Sequence, residues 1–312
     1  MSDDRELESK CTAVPVVSVG MPVFNGGDAL HRAIDSILSQ TFTDFELIIS
    51  DNHSTDGTAD VCAEYAARDR RVRYIRQARN IGAVANFEFV RTQARGRYFM
   101  WASADDVRSS EFLSENVVFL DMNRDYVAST SPHVMEGQPV TAEFLVTFNA
   151  VGTVEERFSS FFAPAIIGGR RYRNCWRSHG IFYSLTRRDV LLDAPPLRHY
   201  LALDWAHDLY LLSRGGVHRT SKGLAVFGAE GHSSSDTIYR QSRTRWIEYL
   251  LPFFQFSAYA MSCSSAWPLG ARWRLFMVLA DLNLRTTYGR VASRLRRLRA
   301  VSLASGDGGV TP

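Results

Sequence analysis

The stretch Phe45-Glu-Leu-Ile-Ile-Ser-Asp-Asn-His-Ser-Thr-Asp-Gly-Thr58 decides the fold. Its first six residues form a β-prone apolar run. A polar, turn-forming loop follows without a break and opens a helix over Thr58 to Arg68. The same unit stands upstream. The apolar run Val14 to Phe24 reads as a buried strand ending near Pro22, and Asn25-Gly26-Gly27 reads as a turn. Asp28 is placed to cap the next helix, where Ala29, Leu30, Ala33, Ile34, Ile37 and Leu38 fall at helical spacing. Downstream, Val72 to Ile75 predicts a third strand and Gly82 to Ala94 a helix. Tyr98 to Ala102 predicts a fourth strand, stopping at Ser103-Ala104-Asp105-Asp106, and Glu111 to Met122 another helix. Strands alternating with helices in this way define an α/β fold with a mostly parallel sheet flanked by helices. Such sheets bind ligands at the C-terminal ends of their strands.

Beyond about residue 130 the alternation weakens. Phe158 to Phe162 and Arg187 to Leu192 predict short helices, and Ile181 to Leu185 a strand. Asp204 to Arg214 predicts a helix with Trp205, Leu209 and Leu212 on one face, ended by Gly215-Gly216. Val217 to Phe227 predicts a returning strand. Residues 243–300 read as mainly helical, and 301–312 as a disordered tail. The divisions expected are therefore a polar segment at 1–13, a first half at 14–125, a second half at 126–235, a helical basic extension at 236–300 and the tail.

Composition narrows the class. The chain has 312 residues, 46% hydrophobic and 22% charged, which is ordinary for a globular protein with a sizeable core. No apolar run is long enough for a spanning helix, and the acidic, polar start is unlike a secretory signal. Cys11, Cys62, Cys175 and Cys263 are too scattered for a zinc ribbon, a redox motif or a disulfide framework, and a reducing cytoplasm fits them best. The net charge of +3 hides an asymmetry. Residues 271–300 hold eight Arg against Asp281, a local +7, which leaves −4 for the rest (3 − 7).

Three strand-end loops carry the chemistry. Asp51 offers a carboxylate where a nucleobase N–H can donate. For Ser54 and Asp56 the competing reading is a helix cap, and for Asp56 it is the better one. Asp105 and Asp106 are adjacent acids that repel unless a cation or proton intervenes. A hard divalent cation shared with a diphosphate resolves that conflict. Arg79, Asn80 and Gly82 follow the third strand, with Asn86 one turn into the helix. The glycine lets backbone approach a ligand, and the arginine suits a phosphate. His53 reads as an exposed loop residue.

Taken in order, Val17 to Asn25, Phe45 to Thr58, Arg79 to Gly82 and Arg97 to Asp106 resemble the nucleotide-sugar-binding half of family 2 glycosyltransferases, which have the GT-A fold. The resemblance is dense over residues 14–120, thinner to about 235 and absent beyond. It implies a donor site made of Pro22, Phe24, Asn25, Asp51, Asn52, Ser54, Arg79, Asn80, Gly82, Ser103, Ala104 and Asp105, with Asp51 recognising uracil or thymine. It implies Mg2+ or Mn2+ on Asp105, Asp106 and His232, and a UDP- or dTDP-sugar as co-substrate. The family's Asp-x-Asp element departs here, since Ser103 stands where the first Asp would be.

The resemblance further implies an inverting transfer with a carboxylate base near the start of the Asp204 helix. Asp204 is favoured by its distance from Gly215, and Asp208 lies one turn on. Gly168 to Arg171 and Trp176 to His179 are candidates for the acceptor side. The expected acceptor is a glycan or a lipid-linked intermediate. The basic segment 271–300 suggests a cytoplasmic protein with a peripheral contact at the inner membrane face, or a helix docked on the domain with a solvated basic face. No nucleic acid is expected. Two rival readings are transfer to polyprenyl phosphate, which lowers the need for a base, and a non-catalytic nucleotide-sugar-binding scaffold. A nucleotidyltransferase is disfavoured, because Phe24 to Asp28 has no Arg or Lys.

Overall fold

The computed structural model describes residues 14–138, 148–162, 165–167, 170–172, 180–199, 201–228 and 246–306. The chain forms two compact units, Met1–Arg198 with His207–His232, and His199–Ala206 with Ser233–Pro312.

The first unit is built on strand β1 (Val17–Val23), buried along its whole length. It is followed by α1 (Ala29–Leu38), β2 (Phe45–Asp51), α2 (Thr58–Arg68), β3 (Val72–Arg76), α3 (Ala83–Gln93) and β4 (Tyr98–Trp101). Next come β5 (Val107–Arg108), α4 (Phe112–Met122), β6 (Tyr126–Thr130), β7 (His133–Met135), β8 (Phe148–Ala150) and α5 (Val154–Phe162). The hairpin β9 (Ala165–Ile167) and β10 (Arg170–Tyr172), then β11 (Leu185–Arg187) and α6 (Arg188–Leu192), lead to α7 (Leu203–Arg214), β12 (Gly216–Arg219) and β13 (Ala225–Phe227).

The main sheet has the order β3-β2-β1-β4-β11-β6-β12-β8. The four leading strands are parallel, as the alternation predicts. β11 runs antiparallel between β4 and β6. A small second sheet has the order β5-β13-β7. Helix α3 lies close on the main sheet: a Cβ at Gly20 would stand 2.8 Å from Val90 Cγ2 and 2.9 Å from Phe99 Cε2.

Three local expectations are corrected. Asp28 makes no side-chain cap on α1. Ile181–Tyr183 is a 3-10 turn, and the strand begins only at Leu185. Val217 to Phe227 is two strands, because Gly223 turns the chain at φ 72° and sends β13 to the small sheet.

Glu46 was not singled out by sequence, yet it is buried on β2. Burial alone would push its carboxyl up. Hydrogen bonds from Ser18, Arg73 and Arg95 outweigh this and hold it below its usual value. An acid inside a strand is tolerated here because two cations and a hydroxyl reach it.

In the second unit, a 3-10 turn (Trp246–Tyr249) precedes α8 (Phe254–Cys263) and α9 (Leu269–Gly306). Asn283 joins these helices: its Oδ1 accepts from Phe253 N at 2.8 Å and its Nδ2 donates to Ser257 Oγ at 3.0 Å. Trp205 stacks on Phe253 at 5.4 Å. The helix continues to Gly306, so 301–306 belongs to the extension rather than to a disordered tail; 307–312 lie outside the described residues.

His207 is buried against Trp101 at 5.0 Å and Phe182 at 5.4 Å, and its Nε2 has no hydrogen-bond partner among the described residues. Burial, then Arg91, lowers its pKa from 6.5 to about 3. Between these values the unfolded imidazole takes a proton and the folded one does not. Stability should therefore fall as the pH drops below 6.5, by about 2 kcal/mol at about pH 5. His207→Leu should remove that component. Urea unfolding at about pH 7 and about pH 5 measures it, and an equal pH dependence in both proteins would overturn the assignment.

Candidate functional site

The parallel strands end along one edge of the sheet, and their loops are laced together. After β1, Asn25 N donates to Ser54 Oγ at 2.9 Å, and Asn25 Oδ1 accepts from Thr55 N at 2.9 Å. Gly26 N donates to Thr58 Oγ1 at 2.8 Å. Asp56 Oδ1 accepts from Thr58 N at 3.0 Å, but Gly57 holds the cap position of α2 and no side chain caps it, which corrects the reading of Asp56 as the helix cap. After β2, Asn52 spans to the β3 loop: its Nδ2 reaches Asn80 Oδ1 at 3.0 Å and its Oδ1 accepts from Ile81 N at 2.8 Å. Asn86 seizes Ser50 from the flank, accepting from its hydroxyl at 2.6 Å and donating to its carbonyl at 2.8 Å.

Asn25 and His53 hold φ of 51° and 64°. Non-glycine residues in the left-handed region cost energy and concentrate at functional loops. His53 is exposed, as expected.

Asp51 departs from its simplest reading. It is fully buried, and its Oδ1 accepts from Ser54 N at 2.8 Å. Its Oδ2 accepts from Tyr74 Oη at 3.2 Å and lies 3.5 Å from Arg76 Nε. In this arrangement the carboxylate pins the β2 loop and presents no surface to a base. Phe24, Asn25, Arg79, Asn80 and Gly82 are exposed on the same edge, whereas Pro22, Asn52 and Ser54 are buried supports. Gly82, at φ 87°, ends the β3 loop directly before α3.

The β4 loop separates the two acids. Asp105 is partly exposed, and its carboxylate accepts from the Ser103 hydroxyl. Ala104 is half-buried between them. Gly228 passes so close that a Cβ there would overlap the Asp105 carboxylate. Asp106 is buried instead, with Oδ1 accepting from Gly228 N at 3.1 Å and Oδ2 lying 3.5 Å from Arg108 Nη1. Burial holds its carboxyl above the ordinary range, opposed by Arg108 and reinforced by Asp105. Arg108 is itself buried beneath Phe112, Tyr183 and Phe227, its guanidinium carbon 5.3, 6.0 and 5.7 Å from their rings. This cation was missed in the sequence. The signal was available, since alternate residues of a strand share a face and Asp106 and Arg108 are two apart.

A divalent cation fits this donor set in part. Hard cations of this kind take one or two carboxylates and complete their shell with substrate oxygens and water. Asp105 qualifies; Asp106 would have to give up Arg108 and Gly228. Among the described residues no group of three or more His, Cys, Asp or Glu side chains could hold a metal ion, and His232 lies outside them. Of the other candidates, Asp204 is exposed in the first turn of α7 and Asp208 is buried one turn later. Trp176 to His179 also lie outside the described residues.

The model of glycosyl transferase family 2 matches residues 18–163, the part of the chain in which the order of the loops resembles that family. EpsE of Bacillus subtilis strain 168, whose name marks it as a glycosyltransferase, is 35% identical over 113 residues, which cover 36% of this chain and 41% of that protein. The chain spans at most about half the length of the other curated relatives it matches, 50% and 39% in two of them. Among solved structures, S. aureus TarS 1–349 in complex with UDP-GlcNAc superposes with a TM-score of 0.62 at 14% identity, over 85% of this chain and 71% of that one. A mannosyltransferase from Pyrobaculum calidifontis, in complex with GDP-Man and Mn2+, gives 0.56 at 16%, over 95% and 80%. The fold is that of the GT-A glycosyltransferases.

The two adjacent acids should respond differently to truncation. Asp106→Ala strands the buried Arg108 cation and should cost about 3 kcal/mol of stability. Asp105→Ala loses one partly exposed hydrogen bond and should cost about 1 kcal/mol or less. Chemical denaturation of both variants decides, and equal costs would overturn the division of roles.

Proposed function

We propose that the chain transfers a sugar from a UDP- or dTDP-sugar to a hydroxyl of a glycan or lipid-linked acceptor, with inversion at the anomeric carbon. The observation that supports this best is the single edge on which the β1, β2, β3 and β4 loops meet, leaving Asp105 and Arg79 open to a ligand. The nucleoside takes the β1 and β2 loops, and Asp51 selects the base through the loop it pins. Arg79 is exposed and has no ion pair among the described residues, which suits a diphosphate oxygen. Backbone N–H groups at the Gly82 start of α3 can donate to the same anion.

Asp105 would hold Mg2+ or Mn2+, with Asp106, held by Arg108 and Gly228 N, supporting the loop that carries it. When bound, the cation would supply positive charge to the leaving group. The chain's own task is proton transfer and orientation. Asp204 accepts the proton of the acceptor hydroxyl as that oxygen bonds to the anomeric carbon. The bond from that carbon to the diphosphate oxygen breaks, and its electron pair leaves with the nucleotide. Exposure in the first turn of α7 favours Asp204 over the buried Asp208, and the helix N-terminus favours its ionised form.

Calorimetric titration with UDP, dTDP, GDP and ADP, with and without Mn2+, tests the donor site. UDP or dTDP should bind in a metal-dependent manner, and Asp105→Ala should weaken that binding by about tenfold or more. No binding of any nucleotide would overturn the reading. With a donor identified, Asp204→Asn should lower kcat by about 10²–10⁴ while nucleotide affinity is kept. An unchanged kcat would move the base elsewhere, or point to an acceptor that is already an anion.

A further inference from the structure

Helix α9 has two apolar faces, and α8 uses one of them. Ala271, Leu275, Leu279 and Leu282 are buried, and Asn283 on the same side is tied to the start of α8. The other face is Leu269, Trp273, Phe276, Met277, Leu284 and Tyr288, with exposures of 81, 61, 45, 51, 64 and 76%. At about 100° per residue these six fall within an arc of about 120°. Trp273 and Phe276 stack at 5.4 Å and form a continuous aromatic ridge. The Thr287 hydroxyl donates to Leu250 O at 2.6 Å, which sets the exposed Leu250 beside the far end of the stripe. A stripe this long, left bare on a helix that is otherwise docked, is a surface built for a partner.

Charge decides which partner. Arg274 and Arg285 lie beyond one edge of the stripe, Arg285 paired with Asp281, and residues 271–300 carry eight Arg against that single acid, a net +7. A second copy would bring the same +7 and repel it. An anionic surface would be attracted, with aromatic rings at the interface and arginines reaching its headgroups. No helix among the described residues is long and apolar enough to cross a membrane. We propose that α9 lies flat on an anionic lipid bilayer, with the Trp273–Tyr288 stripe buried at the headgroup boundary and the arginines on lipid phosphates. The inference rests on the second unit alone and stands apart from the donor site.

Flotation of the full chain with vesicles tests it. The chain should float with vesicles of about 30% phosphatidylglycerol in phosphatidylcholine, far less with pure phosphatidylcholine, and less as salt rises. Trp273→Glu with Phe276→Glu should lower partitioning by about tenfold or more. Leu284→Glu with Tyr288→Glu is an independent pair, should the first perturb folding. Circular dichroism and thermal unfolding matching the wild type show which variants are intact. Wild-type chain that stays unbound to anionic vesicles would overturn the proposal, as would intact variants that float equally well. So would sedimentation showing a dimer that the same variants dissociate, with no vesicle binding.

Discussion

Everything in the first unit hangs on β1, which bonds β2 on one side and β4 on the other. A strand paired on both edges and buried on both faces must be apolar and nearly free of charge, and Val17–Val23 is. Its glycine lets α3 settle onto the sheet, and that contact carries the β3 loop and Gly82 toward the ligand edge. Because β1, β2, β3 and β4 all point one way, their loops have no choice but to meet. The site is a consequence of parallelism before it is a matter of any one side chain.

The loops then hold each other. Asn52 bridges to the β3 loop, Ser54 to the β1 loop, and Asp51 anchors the base of both from a position no ligand can see. Polar residues that look like contacts in the sequence divide into two populations. The exposed ones, such as Asn25, Arg79 and Asn80, are available for recognition. The buried ones, such as Asn52, Ser54 and Asp106, satisfy backbone or charge so that the exposed ones keep their places. A linear sequence shows residue type but not this division, since both populations are drawn from Asp, Asn and Ser.

The half of the fold that was legible has strong periodicity and clear punctuation. The helix over Thr58 to Arg68 matches its expected limits, and the four parallel strands differ from theirs by only a few residues at the ends. The region after residue 130 resisted because its strands are only three or four residues long, too short for a period to show. Ile181–Tyr183 has strand-like composition, but its backbone turns because Trp101, Phe87 and His207 surround Phe182 and fix it as a plug. The split at Gly223 follows from the small sheet, whose edge strands come from distant parts of the chain. Glu46 was invisible for a related reason: its partners Ser18, Arg73 and Arg95 are spread across the sequence, and only folding brings the charges together.

The buried Arg108 ties the strand-end edge to its surroundings in one further sense. Its guanidinium touches an acid from the β4 loop and rings from α4, the Ile181–Tyr183 turn and β13. None of these can vary alone. Loss of the cation would leave Asp106 unpaired, and loss of a ring would open the cation to water. Positions 106, 112, 183 and 227 thus meet at one buried cation, so a change of size or charge at any of them is felt by the other three through Arg108.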